Sequence, residues 1–97
     1  MASHVYILQC ADESYYVGST GAGLERRVNE HNAGVHSGYT KSRRPVVLAF
    51  SQEFDRITDA VTAERKLKGW TRAKKEALIR GDQRVLIRPA HNRQTTG

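Results

Sequence analysis

Cysteine is almost absent from this 97-residue chain, with Cys10 alone. One thiol excludes an internal disulfide and fits a reducing compartment. Cys10 falls in an apolar, strand-like run, which reads as a small buried hydrophobe rather than a nucleophile. No apolar run approaches the ~20 residues that span a bilayer, so no membrane partner is expected. Residues 1–4 lack the basic start and long apolar stretch of a signal peptide, and the expected location is the cytoplasm. Internal repeats, low-complexity segments and linkers are missing as well. The length is that of one domain with a modest core, expected over residues 1–89, with 90–97 a disordered tail. His31 and His36 lie five apart with no cysteine pair beside them, which does not make a zinc site. His4 and His91, near the ends, read as surface residues. There is no Gly-x-Ser-x-Gly elbow and no phosphate loop ending in Gly-Lys-Ser/Thr. Arg80-Gly81-Asp82 reads as the punctuation of a helix end.

Positive charge is what the chain has in excess. Sixteen Lys and Arg face ten Asp and Glu, a net charge of +6. The excess is concentrated. Residues 65–97 carry ten basic and two acidic side chains, whereas residues 1–64 carry six and eight. A localised positive region favours a polyanion through counterion release.

The pattern predicts an α+β sandwich: a three-stranded antiparallel sheet flanked by about three helices, in the order β-β-α-β-α-α. Residues 5–10 and 15–18 read as two strands of a hairpin. An odd loop places Tyr6 and Tyr16 on one sheet face; an even loop separates them. A three-residue loop over 12–14 gives the shared face. Residues 21–31 read as a helix after Gly-Ala-Gly, with Leu24 and Val28 as its apolar stripe and Gly34 as its stop. Residues 35–45 form a polar, basic loop. The continuous apolar run at 46–50 is expected to be a central or buried third strand. A second helix is expected over 58–68, capped by Thr58 or Asp59. Thr71 would cap a third helix to Arg80, closed by Gly81, and residues 85–87 form a short docking segment.

Several side chains stand out on these elements. Tyr6 and Tyr16 sit ten residues apart in the two strands. At about 100° per residue, Leu24, Val28 and His31 share one helix face; Arg27 lies at its edge and Arg26 points to solvent. Arg27 can reach along the sheet or simply cover the core edge with its stem. Glu64 falls among Ala60, Val61, Ala63 and Leu67, near the middle of an apolar face. A carboxylate there requires a cation, a set of hydrogen bonds or a divalent metal, since an unpartnered one costs several kcal/mol or protonates. Tyr15 alternates to the opposite sheet face and reads as packing. Tyr6 or Tyr16, Arg27 and Glu64 together make a set of water activator, anion stabiliser and metal ligand, as phosphodiester hydrolysis requires.

Val5-Tyr6-Ile7 and Tyr16-Val17-Gly18 resemble the paired motifs of the GIY-YIG nuclease superfamily. Residues 27–31 resemble its Arg-x-x-x-His helix, and Glu64 stands where the family's metal-binding Glu is expected. The resemblance covers residues 5–80. The chain looks most like small stand-alone bacterial members. It also resembles the nuclease domain of the Slx-type structure-specific endonuclease, through His31-Asn32-x-Gly34, Tyr39-Thr40, Pro45 and the stretch 68–75. It departs from the pattern in having His4 in place of the first Gly, and a second domain for specificity is not expected within these 97 residues, a role that would fall to its own basic surface or to a protein partner.

The resemblance implies a metal-dependent endonuclease, with DNA ahead of RNA as substrate and DNA repair or recombination as setting. Structure would be selected over sequence. Glu64 would hold one Mg²⁺ or Mn²⁺. Arg27 would donate to a phosphate oxygen as a permanently charged fork. Tyr6, ahead of Tyr16, would deprotonate water, its phenolate favoured by Arg27 and the metal against a reference pKa of about 10. His31 would hydrogen-bond a tyrosine or touch phosphate, and Gly18 would let its strand pass close to the site. Lys41, Arg43, Arg44, Lys66, Arg72, Lys74 and Lys75 are candidate phosphate contacts, implying steep salt dependence and weak sequence preference. Trp70 reads as a core lid ahead of a base-stacking platform. The competing readings are a nucleic-acid-binding module without catalysis and a nuclease subunit active only with a partner, in which Glu64 would form a core ion pair, Arg27 being one candidate.

Overall fold

The architecture comes from a computed structural model that describes residues 2–36 and 38–82. The expected segment 85–87, the tail 90–97 and His91 lie outside the described residues. Strand β1 (Ser3–Gln9) and strand β2 (Tyr15–Thr20) form an antiparallel hairpin, with Tyr6 opposite Gly18 and Leu8 opposite Tyr16. The connecting loop has three residues but is residues 11–13, one earlier than expected. Cys10 pairs with Ser14 (Cys10 N to Ser14 O 2.8 Å), and the Cys10 carbonyl accepts from Glu13 N at 2.8 Å. Glu13, at φ +70°, supplies the left-handed residue that closes such a loop. Asp12 then accepts from the Ser14 backbone at 3.0 Å and from Arg43 Nε at 3.0 Å. The odd loop length, not its position, sets the faces, so Tyr6 and Tyr16 do share one.

Helix α1 (Leu24–Asn32) starts at Leu24 and not at Gly21. Gly23, extended at φ −64° and ψ 133°, is its N-cap, while Ala22 N is held by Thr20 Oγ1 at 3.0 Å. These bonds keep residues 21–23 out of the helix. Gly34 ends it as expected, at φ +78°.

Strand β3 (Val47–Phe54) corrects the sequence reading most clearly. The strand order is β2-β1-β3, so β3 is an edge and β1 the centre. Val5, Tyr6, Ile7 and Leu8 are at most 1% exposed, covered on both faces. Val47 and Leu48 of β3 are 57% and 42% exposed. A continuous apolar run does not distinguish the two positions; a cover on both faces does. Asn32 ties the preceding loop to α1, donating to Val46 O at 2.9 Å and accepting from Val46 N at 2.7 Å.

Helix α2 (Ile57–Lys68) begins after Arg56, which provides no side-chain cap, so neither Thr58 nor Asp59 caps it. Both lie inside the helix, where Asp59 favours the positive end of the dipole. Helix α3 (Arg72–Ile79) is capped by Thr71 as expected, its hydroxyl accepting from Lys74 N at 3.2 Å, and Gly81 follows at φ +85°.

The sheet separates two apolar clusters. Val5, Ile7 and Val17 face α2 and α3 through Ala60, Ala63, Leu67 and Leu78. Tyr6, Leu8 and Cys10 face α1 through Leu24 and Val28. Tyr15 belongs with the first cluster, as packing, and half-buried Trp70 lids it. Burial pushes the Cys10 thiol up in pKa, which suits a core residue and not a nucleophile.

Candidate active site

Tyr6 is 1% exposed, and its ring runs across the α1 face of the sheet over Gly18. Its hydroxyl lies 3.2 Å from His31 Nε2. His31, delivered by the last turn of α1 and 3% exposed, has its Nδ1 2.9 Å from Thr40 Oγ1. Tyr16 stands edge-on to the same imidazole at 5.3 Å between ring centres. Arg27, half-buried on α1, lines a polar pocket with Tyr16, His31, His36 and Tyr39. The sheet and α1 thus bring together Tyr6, Tyr16, Arg27 and His31.

Glu64 comes from the other layer. Alternation puts Ser19 on the α2 face of β2, where its hydroxyl donates to Glu64 Oε1 at 2.5 Å. Lys68 Nζ sits 2.8 Å from Oε2. Because β2 is the sheet edge, Glu64 sits at that margin, held at Ser19, and does not itself line the tyrosine pocket. Its charge is near enough to raise the Tyr6 pKa, but it does not pair with Arg27. Arg27 lies 3.6 Å from Glu30 instead. The anomaly of an acid in an apolar stripe is thereby resolved. Its side chain keeps 19% exposure at the sheet margin and has two local partners.

Burial dominates the electrostatics of the metal-free site. Burial, and then the neighbouring Tyr16, push the Tyr6 hydroxyl up to about 12, and Arg27 beside it offsets this only in part. Without a metal, Tyr6 is therefore a neutral phenol at pH 7. Burial first, then His36 and Arg27, lower the His31 pKa, which keeps the imidazole neutral. For Glu64, burial alone would raise the pKa; Lys68 and Ser19 outweigh it and hold the carboxyl below its ordinary value.

Thr40, Glu30, His36, Ser19 and Lys68 enter the site although the sequence assigned them no role in it, Thr40 and Lys68 having stood only in family-like stretches and His36 only as a rejected zinc ligand. Lys68 was legible, since it lies one turn after Glu64 on the same helix side. Ser19 carries no sequence signal of its own, and Thr40 only its place in the Tyr39-Thr40 pair; strand register and loop path bring them in. Glu30 gathers Arg26 at 3.0 Å and His36 at 3.0 Å. Among the described residues no group of three His, Cys, Asp or Glu could hold a metal. Glu64 alone fits Mg²⁺ or Mn²⁺ in one manner, with waters and substrate phosphate as the other ligands, a mode Mg²⁺ commonly adopts.

The basic candidates divide. Arg43 donates to Asp12 and to Tyr39 O at 2.9 Å, and lies 3.9 Å over the Tyr39 ring. Arg44 donates to Lys41 O at 2.8 Å and packs on Gly34. Arg72 pairs with Glu76 at 3.0 Å above Tyr15. Lys74 lies 4.3 Å over Trp70. These side chains are partly committed within the fold. Lys41 and Lys66 are exposed, and Lys75 is half-buried. His4 is not a plain surface residue: it lies in β1, half-buried, with Nδ1 buried and lacking a hydrogen-bond partner.

A hairpin carrying two tyrosines, a helix carrying Arg and His, and a carboxylate held at the edge strand lie on one α+β domain. Residues 2–77 match the model of the GIY-YIG catalytic domain, and the chain belongs to the GIY-YIG nuclease family. It is 45% identical over 76 residues to a UPF0213 protein of Halobacterium salinarum, covering 78% of this chain and 97% of that one. A UPF0213 protein of Staphylococcus haemolyticus is 42% identical over 80 residues, covering 81% and 96%. The solution NMR structure of a UPF0213 protein from Bacillus halodurans superposes with a TM-score of 0.54 at 35% identity, covering 84% and 86%. Among the described residues, no helix is long and apolar enough to cross a membrane.

Proposed function

We propose that this chain is a divalent-metal-dependent endonuclease that hydrolyses phosphodiester bonds in DNA and selects structure over sequence. The observation that carries this reading is the Tyr6–His31–Thr40 chain beside Arg27, under a pocket lined by Tyr16, Arg27, His31 and Thr40, with the Glu64 charge close enough to be felt at Tyr6.

Hydrolysis needs an activated water and relief of charge on the crowded phosphorus. A phenol with a pKa of about 12 is protonated at neutral pH and cannot act as a base unaided. The hydrogen bond to His31 supplies a way round this. In the tautomer whose Nδ1–H donates to Thr40, His31 Nε2 accepts from the Tyr6 hydroxyl. Tyr6 then takes the proton of the attacking water as it passes its own to His31. Arg27 donates to a non-bridging phosphate oxygen, and Tyr16 positions water or phosphate. Glu64 would hold a divalent cation, which supplies charge stabilisation at the phosphate and leaving oxygens. Exposed Lys41 and Lys66 position the backbone electrostatically. A protein partner supplies further specificity, and the setting is DNA repair in a reducing cytoplasm, in keeping with the free buried Cys10.

The test is cleavage of labelled linear, flapped, branched and single-stranded DNA and RNA with Mg²⁺, Mn²⁺ or EDTA. Metal-dependent cutting is expected, reduced on the order of 100-fold or more in Arg27→Ala and Glu64→Ala. Undiminished turnover in both folded variants would sink the proposal. One observation favours a module that binds without cutting: Lys68 already neutralises Glu64. Salt-sensitive binding of the panel with no cutting is the outcome which that reading requires.

A further inference from the structure

Both oxygens of the Glu64 carboxylate are engaged. Ser19 takes one, and the Lys68 ammonium takes the other at 2.8 Å. The two cation partners of this carboxylate differ in kind. A divalent ion would arrive from solvent with its own waters. Lys68 is tethered one turn along α2 and remains 55% exposed, free to leave on its four-carbon stem. An ammonium in contact with the carboxylate and a divalent ion on the same group would lie within a few ångströms of each other. Like charges at that distance repel, more strongly beside a half-buried strand edge than in bulk water. The two occupancies therefore exclude each other. Among the described residues no trio of acidic, His or Cys side chains reinforces the seat, so a single competing cation weighs heavily in its occupancy.

We infer that Lys68 is an internal counter-ion that occupies the cation seat of Glu64 in the free protein and competes there with the divalent metal. The inference rests on the reading of Glu64 as the metal ligand. It gives Lys68 a positioning role that changes on substrate binding. A phosphate arriving at the pocket offers the ammonium another anion, Lys68 transfers to it, and Glu64 is released to the metal. Metal uptake is thereby suppressed in the absence of nucleic acid and promoted in its presence.

The experiment is Mn²⁺ binding, read by electron paramagnetic resonance of the free ion, to the whole chain without nucleic acid. Wild type, Lys68→Met, Lys68→Arg and Glu64→Gln are compared, each checked for folding by circular dichroism. Lys68→Met is expected to bind Mn²⁺ roughly three- to tenfold more tightly than wild type, a gap that narrows in high salt. Lys68→Arg should stay near wild type and Glu64→Gln should lose the site. Equal or weaker binding by Lys68→Met overturns the inference, as does Mn²⁺ binding that survives Glu64→Gln, or an absence of binding in every variant. Should Lys68→Met fail to fold, Lys68→Gln is read in its place. The nuclease reading fails separately, by an absence of cutting in the substrate panel, whatever the Mn²⁺ affinities.

Discussion

The hydroxyl of Tyr6 lies 2.5 Å from the point where a Cβ on Gly18 would stand, and its Cζ lies 2.6 Å away. Gly18 is the residue directly opposite Tyr6 in the hairpin. Its missing side chain is the space through which the tyrosine ring crosses toward the edge of β2. No real Cβ tolerates such a contact, and the ring is held on its other side by His31 and the α1 cluster.

Gly18→Ala should therefore displace Tyr6. Misplacing a reacting group by about an ångström costs on the order of 100-fold in turnover. Overpacking should cost about 1–3 kcal/mol in stability. Cleavage rate and chemical denaturation check the two effects, and an unchanged rate would show that Tyr6 Oη is not at the chemistry.

Stability and activity should both fall on the acid side of neutrality through His31. Its folded pKa is lowered by burial, so the unfolded chain binds the proton first, near a pKa of about 6.5. The stability His31 contributes is complete above that value and is lost as pH falls through it toward the folded pKa. The proton relay fails in the same window, because a charged imidazole cannot accept from Tyr6. Denaturation midpoints and single-turnover rates from pH 8 to pH 5 follow both losses (about 0.5 pH steps suffice). At the alkaline end the sign reverses. Tyr6 stays protonated up to about 12 when folded but ionises near 10 when unfolded, so stability falls as pH rises through that interval.

Thr40→Val should release the imidazole tautomer. Thr40 is 2% exposed and its hydroxyl bonds His31 Nδ1 at 2.9 Å, so its removal leaves a buried polar nitrogen unpaired. The expected cost is about 1–3 kcal/mol. Nitrogen-15 NMR of the ring should show a mixed tautomer population in place of one form, with a roughly tenfold slower reaction. A single unchanged tautomer would remove Thr40 from the relay.

Asn32→Ala should damage the fold and not the chemistry. The side chain satisfies both backbone groups of Val46, which is 2% exposed. Leaving them unpaired should cost about 1–3 kcal/mol, read in urea denaturation. At a temperature where the variant is fully folded, cleavage within about twofold of wild type is expected.

Much of the frame was legible from local pattern. The hairpin, the helix with Arg27 and His31 on adjoining sides, and the Thr71 cap follow from periodicity and turn chemistry. The position of the 46–50 run was not, because an apolar pentapeptide has the same composition in a centre or an edge strand. The covering of β1 by helices on both faces decided it. Neither was the protonation state of Tyr6 legible. Sequence places a cation near it, but the balance between Arg27 and burial depends on how deep the ring lies.

The sequence by itself narrowed the faces of Tyr6 and Tyr16 to two hairpin parities, and it determined the Gly18 that leaves Tyr6 room and the i,i+4 spacing of Glu64 and Lys68. These are short-range matters of chain geometry, settled within a few residues. Tertiary structure alone decided that His31 and Thr40 form a chain to Tyr6, and that Glu64 meets Ser19 of β2 from the opposite layer. Those relationships join residues nine to forty-five positions apart, and only the packing of helices on a particular strand order brings them within hydrogen-bond reach.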